Sequence, residues 1–435
     1  MPAPRNVRRI AYDLLSGSAG RYSNLALDAA IKKNNLTPAD RGLLTLLVMG
    51  VIEKQITLDY YIDKLSAIPP GKIEPGVRTL LRLGLYQLIF TDRIPAHAAV
   101  SETVALAPRR ASGFVNALLR RFLRERGSIS LPPRDSRPLE YLSIKYSFPV
   151  GLCGRLVGIF GFERTESLLS AFDRTPGLTL RVNILKTTRE DLLTCFAEAG
   201  ITAAPTPLSP DGICLDAAPP ATLPGFDEGL FFVQDEASQL CVRALDARPG
   251  MTVIDACAAP GSKSFGIALT MQNSGRILAF DLHENKLSLI RSGAGWLGIE
   301  IIEVAPGDAS RPDPALFAAA DRVLCDVPCS GYGVMAKKPE IRYKNPDDAA
   351  GLPEVQYAIL DNCSKYLKPG GLLVYSTCTI LPEENEEVVG RFLARHPDFH
   401  LSPFTAGGLS TGGMITLYPD IHHTDGFFIA CMKKD

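Results

Sequence analysis

From about residue 236 to the C terminus, short apolar segments alternate with segments of helical spacing, and this alternation constrains the fold more than any other feature of the chain. Strands are expected at 251–255, 276–281, 301–305, 321–326 and 371–376, with helices at 263–273, 284–297, 352–366 and 383–395. Strands joined through helices pair in parallel, because each crossover returns the chain to the same end of the sheet. The expectation is a doubly wound, mostly parallel sheet whose ligands sit beyond the carboxyl ends of its strands.

The earlier part of the chain has a different rhythm. Residues 1–127 read as helix after helix. Thr37-Pro38-Ala39-Asp40 offers an N-cap and a first-turn proline ahead of Leu43, Leu44, Leu47 and Val51, and similar patterns fill 74–91, 96–107 and 111–126. A Ser-, Pro- and Arg-rich stretch follows as a linker. Residues 128–235 are expected to hold this linker and a small α+β module, with a strand at 178–184 and a capping box at Thr187 and Glu190 opening a helix that ends at Gly200. The fold class is therefore multidomain, α followed by α/β, with domains at 1–127, 128–235 and 236–435.

Over 435 residues the formal charge is only −1. That near-neutrality is a cancellation, because residues 1–130 hold 19 basic and 10 acidic side chains, while the remainder holds 27 and 37. A basic helical region with Arg109, Arg110, Arg120, Arg121, Arg124 and Arg126 near its end reads either as a solvated helix face or as a stripe that contacts a polyanion. All ten cysteines follow residue 150 without close CxxC pairs, which argues against a zinc site or a disulfide scaffold. No apolar run is long enough for a membrane span, and the Arg-containing start lacks the apolar core of a signal peptide. A cytoplasmic protein without membrane or metal partners is expected, as a monomer.

Chemistry is expected just after the strands. Asp255-Ala-Cys-Ala-Ala-Pro-Gly-Ser-Lys-Ser264 has a lysine beside glycine and serine, but Cys257 and Ser262 occupy positions where a P-loop requires glycine. What remains is a tight turn into a helix N-terminus, either a plain strand-to-helix connection or a site whose backbone donors suit an anion. Asp281, closing the second strand, is placed to accept ribose hydroxyls, with Asp308 after the third strand as a further candidate; either residue could instead be a cap. Cys329, in Asp326-Val-Pro-Cys-Ser-Gly331, and Cys378, in Ser376-Thr-Cys-Thr379, follow strands that should be neighbours, so the two thiols should share one crevice. A helix starting at Glu383 would favour thiolate there.

These three motifs, in this order, resemble the RNA cytosine-C5 methyltransferases that use S-adenosylmethionine. The resemblance extends to Arg181-Val-Asn183, Val233-Gln-Asp-Glu-Ala-Ser238, Lys337-Lys-Pro-Glu-Ile-Arg342 and Asp425-Gly-Phe-Phe-Ile-Ala430, and the helical N-terminus with Asn116-Ala-Leu-Leu-Arg120 is similar to NusB-type RNA-binding domains. Together they resemble the bacterial small-subunit ribosomal RNA methyltransferase group over nearly the whole chain. The resemblance implies a NusB-like domain, a small RRM-like connector and a Rossmann-like methyltransferase domain. It assigns nucleophilic attack on carbon 6 to Cys378, assistance in product release to Cys329, and the cytosine edge to Asp326. Cys257, Ala258, Ala259, Pro260, Gly261, Ser262 and Lys263, with Asp281, Asp308 and Asp326, would line the cofactor, and Lys263 would also stand at the reaction centre or the substrate.

A thiolate is needed because carbon 5 of cytosine is a poor nucleophile until carbon 6 has been attacked. The implied partner is 16S ribosomal RNA or a small-subunit precursor. Transfer RNA is the alternative substrate, and a non-catalytic antitermination-type RNA binder is the alternative of another class. DNA cytosine methyltransferases also carry a Pro-Cys motif, but there that cysteine is the nucleophile and no Thr-Cys partner is required. The chain departs from the group's pattern at Ser262 and Ser264 in the turn, and at Gly151-Leu152, where a tryptophan is expected.

Overall fold

The computed structural model describes residues 6–17, 23–216, 218–344 and 349–435; the Met1–Arg5 part of the start considered above lies outside them. The chain forms two compact units, Met1–Asp173 with Lys338–Lys344, and Arg174–Lys337 with Asn345–Asp435.

The first unit is helical. Thr37 caps the helix Pro38–Glu53 as expected, its hydroxyl accepting from the Asp40 N–H at 3.2 Å. The helix Pro75–Phe90 is apolar on most of its circumference, so it lies in the middle of the unit, with Leu80, Leu81, Leu83 and Leu85 all fully buried. On the helix Ser112–Glu125, Arg120 and Arg124 face solvent, whereas Arg121 is half-buried and bonded to Glu125 and to the Leu65 carbonyl.

Three further helices, Pro138–Tyr146, Val150–Phe160 and Phe162–Phe172, also belong to this unit. The edge of the compact unit therefore falls at Asp173, whereas the linker composition puts a boundary at 127. The apolar face of these helices, with Leu142, Leu152, Leu156, Leu168 and Leu169 buried, decides which neighbours they join, and linker composition carries no information about that. The segment Lys338–Lys344 packs in the same unit. Arg342 lies 4.1 Å over the Phe148 ring and donates to the Glu53 carbonyl at 3.2 Å.

The second unit begins with a four-stranded antiparallel sheet: β1 (Leu178–Val182), β2 (Ala203–Pro205), β3 (Gly212–Leu215) and β4 (Phe231–Val233), in the order β2-β3-β1-β4. The helix Arg189–Glu198 contributes Leu192 and Phe196 to its core. This helix is capped by Thr188, whose hydroxyl accepts from the Asp191 N–H at 3.1 Å, one residue later than the expected Thr187 and Glu190 pair. Thr-x-x-acid occurs in both registers, and the later one supplies the cap.

The large sheet has the expected parallel strands, β5 (Thr252–Asp255), β6 (Arg276–Asp281), β7 (Ile302–Pro306), β8 (Ala320–Asp326) and β9 (Leu367–Thr377). β10 (Phe399–Leu401), β13 (Met414–Leu417) and β14 (Phe427–Lys434) add an antiparallel edge, and β11 (Thr405–Ala406) with β12 (Leu409–Ser410) forms a separate ribbon. The sheet order is β10-β14-β9-β8-β5-β6-β7. The chain starts in the middle, runs outward through β6 and β7, then returns to the other side of β5 as β8. That reversal opens a crevice at the carboxyl ends of β5 and β8, where doubly wound sheets bind ligands.

Candidate active site

β5 ends in Asp255, fully buried, whose Oδ2 accepts from the Ser264 hydroxyl at 2.6 Å. Burial pushes its carboxyl up to about 7, and the Asp326 charge adds to that. The turn after it is fixed by its own backbone. Ala258 N–H donates to the Phe280 carbonyl at 2.7 Å, and Ala259 N–H to Asp281 Oδ2 at 3.1 Å. Two of the donors expected to meet an anion are thus used within the fold. Ser262, Lys263 and Ser264 open the helix Ser262–Thr270, so their N–H groups have no intrahelical partners. Pro260 follows a cis peptide bond, and Gly261 adopts φ +114°, where a Cβ would lie 2.6 Å from the Phe265 ring. Only glycine fits there. Cys257 is half-buried, and burial raises its thiol well above the ordinary range.

Asp281 accepts from Ala259 N–H through one oxygen and from His283 N–H at 2.9 Å through the other. It therefore braces two loops at the end of β6, with one further lone pair on each oxygen. Asp308 accepts from the Ser310 N–H and hydroxyl at 3.1 and 2.6 Å, and those bonds lower its carboxyl. Asp308 also borders a cavity of about 290 Å³ lined by Ala256, Phe280, Leu316 and Tyr366. Its position shows a local turn cap and a cavity wall in one residue.

At the end of β8, Asp326 is paired with Lys263: Nζ lies 2.7 Å from Oδ2, and the Ser376 hydroxyl donates to Oδ1 at 2.8 Å. Burial alone would lower the Lys263 ammonium, but Asp326 outweighs it and the group is raised above its ordinary value. The lysine carries its charge next to the carboxylate and lies 5.1 Å from the centre of the Phe427 ring.

Cys329 and Cys378 meet, with Sγ atoms 3.0 Å apart and the Cys378 N–H donating to Cys329 Sγ at 3.2 Å. Both cysteines are thiols outside any disulfide, and both are half-buried. Cys329 is held well above the usual thiol range by its hydrogen bond with Cys378 and by burial, and the Glu384 charge adds to this. The expected helix start at 383 is displaced. Pro382–Glu384 forms a separate turn and the helix runs Glu386–Arg395, because Glu384 and Asn385 bond sideways to the thiol loops.

Several groups that fix this site were given no role in the sequence analysis, although most of them lie in its quoted motifs. Gly333 N–H donates to the Cys378 carbonyl at 2.9 Å, and Gly426 N–H donates to the Gly333 carbonyl at 2.8 Å. Lys337 bonds both Asp235 and Asp425, which ties together three of the quoted motifs, and burial pushes Asp425 up to about 7. Gln234 Nε2 donates to the Ser262 carbonyl at 3.0 Å, linking β4 to the cofactor-side turn, while the fully buried Arg181 donates to Gln234 Oε1 at 3.3 Å. Gln356 shares the buried stripe of its helix with Ile359, Leu360 and Cys363, and a polar residue on an apolar stripe is the sequence signal that could have flagged it.

Fold and site together define a methyltransferase built from a NusB domain, a ferredoxin-like domain and a catalytic α/β domain. Family profiles match on each part: NusB family over residues 5–124, an RsmF/B-like ferredoxin-like domain over 148–222, and 16S rRNA methyltransferase RsmB/F over 242–433. A Bacillus subtilis protein named probable ribosomal RNA small subunit methyltransferase B is 40% identical over 95% of each chain, and one of the same name from Synechocystis sp. is 39% identical over 99% of each. The solved structure of PH0851 superposes with a TM-score of 0.81 at 29% identity, covering 100% of this chain and 99% of that one. A methyltransferase homolog from Pyrococcus horikoshii gives a TM-score of 0.61 at 30% identity, covering 69% of this chain and 100% of that one. The chain belongs to the 16S rRNA methyltransferase RsmB/F family.

Among the described residues, no helix is long and apolar enough to cross a membrane, and no group of three or more His, Cys, Asp or Glu side chains is arranged to hold a metal ion.

Proposed function

We propose that the protein methylates carbon 5 of a cytosine in small-subunit (16S) ribosomal RNA, free or in a precursor particle, through a covalent bond between Cys378 and carbon 6 of the base. The observation that carries this reading is the pair of thiols 3.0 Å apart at neighbouring strand ends, beside the Asp326–Lys263 pair. The curated relatives, named for small-subunit ribosomal RNA methylation, support the substrate.

The residues present fit S-adenosylmethionine. The apolar walls of the 290 Å³ cavity suit an adenine ring, with Asp308 at its border and Asp281 beside Phe280 for the ribose. The helix-start N–H groups at 262–264 suit a carboxylate. When bound, the cofactor supplies an electrophilic methyl group.

Cys378 Sγ adds to carbon 6, which makes carbon 5 nucleophilic. Asp326, oriented by Lys263 and Ser376, holds the N3/N4 edge of the cytosine and stabilises charge developing on the ring. Cys329, held as a thiol beside Cys378, assists release of the methylated base after the carbon-5 proton has left. The base must leave its stack to reach Cys378, so unpaired cytosines are the expected targets.

Two alanine variants test the reading. Cys329→Ala should leave attack intact and accumulate a protein–RNA adduct that survives denaturing gels, while Cys378→Ala should abolish adduct and turnover together. An adduct that depended on Cys329 would reverse the roles. Bisulfite sequencing of ribosomal and transfer RNA from a deletion strain identifies the target, and a methyl group missing only from transfer RNA would overturn the substrate.

A further inference from the structure

The loop that carries Cys329 is held by a carboxylate with no part in the chemistry above. Glu384 is 2% exposed, and its Oε2 accepts from the Ser330 N–H at 2.9 Å and from Gln356 Nε2 at 2.9 Å. The same Gln356 amide donates to the Pro328 carbonyl at 3.0 Å. The Pro328 carbonyl and the Ser330 N–H belong to the two peptide groups that flank Cys329, so both end on one buried side-chain pair. Glu384 is itself anchored to the strand leading to Cys378, because the Tyr375 hydroxyl donates to the Glu384 carbonyl at 2.5 Å. The clamp therefore references the Cys329 loop to the strand that presents the other thiol.

A buried carboxylate is a costly way to tie a loop, and the cost is reduced here by donors that converge on one oxygen. Its charge has a second effect. Added to burial and to the Cys378 contact, it favours keeping the proton on Cys329.

We propose that Glu384 and Gln356 are positioning residues that hold the Cys329 thiol against Cys378 for the release step. The inference rests on the reading of the two thiols given above. In that step the carbon-5 proton passes to water, and the electron pair of the C–H bond forms the carbon 5–carbon 6 double bond. The carbon 6–sulfur bond breaks with its electrons on Cys378 Sγ, which takes the proton from the Cys329 thiol. Cys329 recovers a proton from water.

The test compares Glu384→Ala, Gln356→Ala and Glu384→Gln with Cys329→Ala in the full-length protein, using a substrate RNA and denaturing gels to follow adduct formation and decay. The alanine variants should bind S-adenosylmethionine normally and form adduct at the wild-type rate. They should release it more slowly by on the order of 10- to 100-fold, the loss typical of a reacting group displaced by about 1 Å. Glu384→Gln retains an oxygen for Ser330 and Gln356, and its amide takes the place of Oε1, an atom without a partner among the described residues. Glutamine should therefore restore release to within a few-fold of wild type, which marks position rather than charge as the cause.

Trapping by Glu384→Gln as strong as by Glu384→Ala would overturn the positioning role. So would loss of cofactor binding together with adduct in both alanine variants, which would mark a general structural role. Trapping by Cys329→Ala without trapping by the clamp variants would refute this inference alone. Absence of trapping in Cys329→Ala would refute the reading on which it rests.

Discussion

Gly333→Ala perturbs the site through backbone alone. A Cβ built on Gly333 would lie 1.8 Å from the Gly426 carbonyl oxygen and 2.9 Å from the Cys378 carbonyl oxygen. Both obstacles are backbone, so no flexible side chain can move aside. The Gly333 and Gly426 segments would have to part by about 1.2 Å to restore the 3.0 Å minimum that real Cβ atoms keep. That separation breaks the bond from Gly426 N–H to the Gly333 carbonyl and strains the one from Gly333 N–H to the Cys378 carbonyl. Two bonds at about 1 kcal/mol each, with residual crowding of about 1 kcal/mol or more, give roughly 3 kcal/mol of destabilisation. In a unit of this size 1 kcal/mol lowers the melting temperature by about 2–4 °C, so a fall of about 6–12 °C is expected by calorimetry. Because Cys378 moves with its carbonyl, methyl transfer should drop by about 100-fold. Gly351→Ala is the control, since a Cβ there meets nothing within 4 Å. A Gly333→Ala protein with wild-type melting and turnover would refute the close approach and the argument built on it.

Asp255 gives a pH test. Its carboxyl is raised by folding to about 7, so the native state binds a proton that the unfolded chain has lost between about pH 4 and 7. Its contribution to stability is complete below about pH 4 and lost as the pH rises through about 7, and Asp425, also raised to about 7, adds to the same window. Urea unfolding should show stability falling across this range, with Asp255→Asn removing up to roughly 4 kcal/mol of the fall; identical pH slopes in both proteins would count against the burial argument. In the helical unit, replacing the exposed Arg120 and Arg124 by glutamine should weaken RNA binding and reduce the slope of log affinity against log salt by about 1.4, at roughly 0.7 per lost contact with single-stranded RNA. An unchanged slope would show that this helix face does not meet phosphate.

Much of the fold follows from local pattern. β5 to β9 lie where the apolar segments put them, and the helix Glu284–Leu297 keeps its expected bounds because Gly298 adopts a left-handed conformation and stops it. Strand order follows less directly: that β8 returns to the far side of β5 is a packing outcome, and it brings the loops after β8 and β9 together.

What the sequence determined by itself was therefore the inventory: five parallel strands, a basic helical region, a tight turn into a helix after the first of those strands, and two cysteines at strand ends. Period, caps and steric limits are properties of a few consecutive residues, and they can be read from the chain in order. Only the tertiary structure decided which residues hold the site in place. Ala258 and Ala259 turned their N–H groups inward to Phe280 and Asp281, Glu384 left its helix to grip the Cys329 loop, and Lys337 bonded acids 88 and 102 positions away. The helices Pro138–Phe172 joined the first unit for the same reason. Their partners are chosen by the need to satisfy buried polar groups and cover apolar faces, and that need is set by the surroundings after folding.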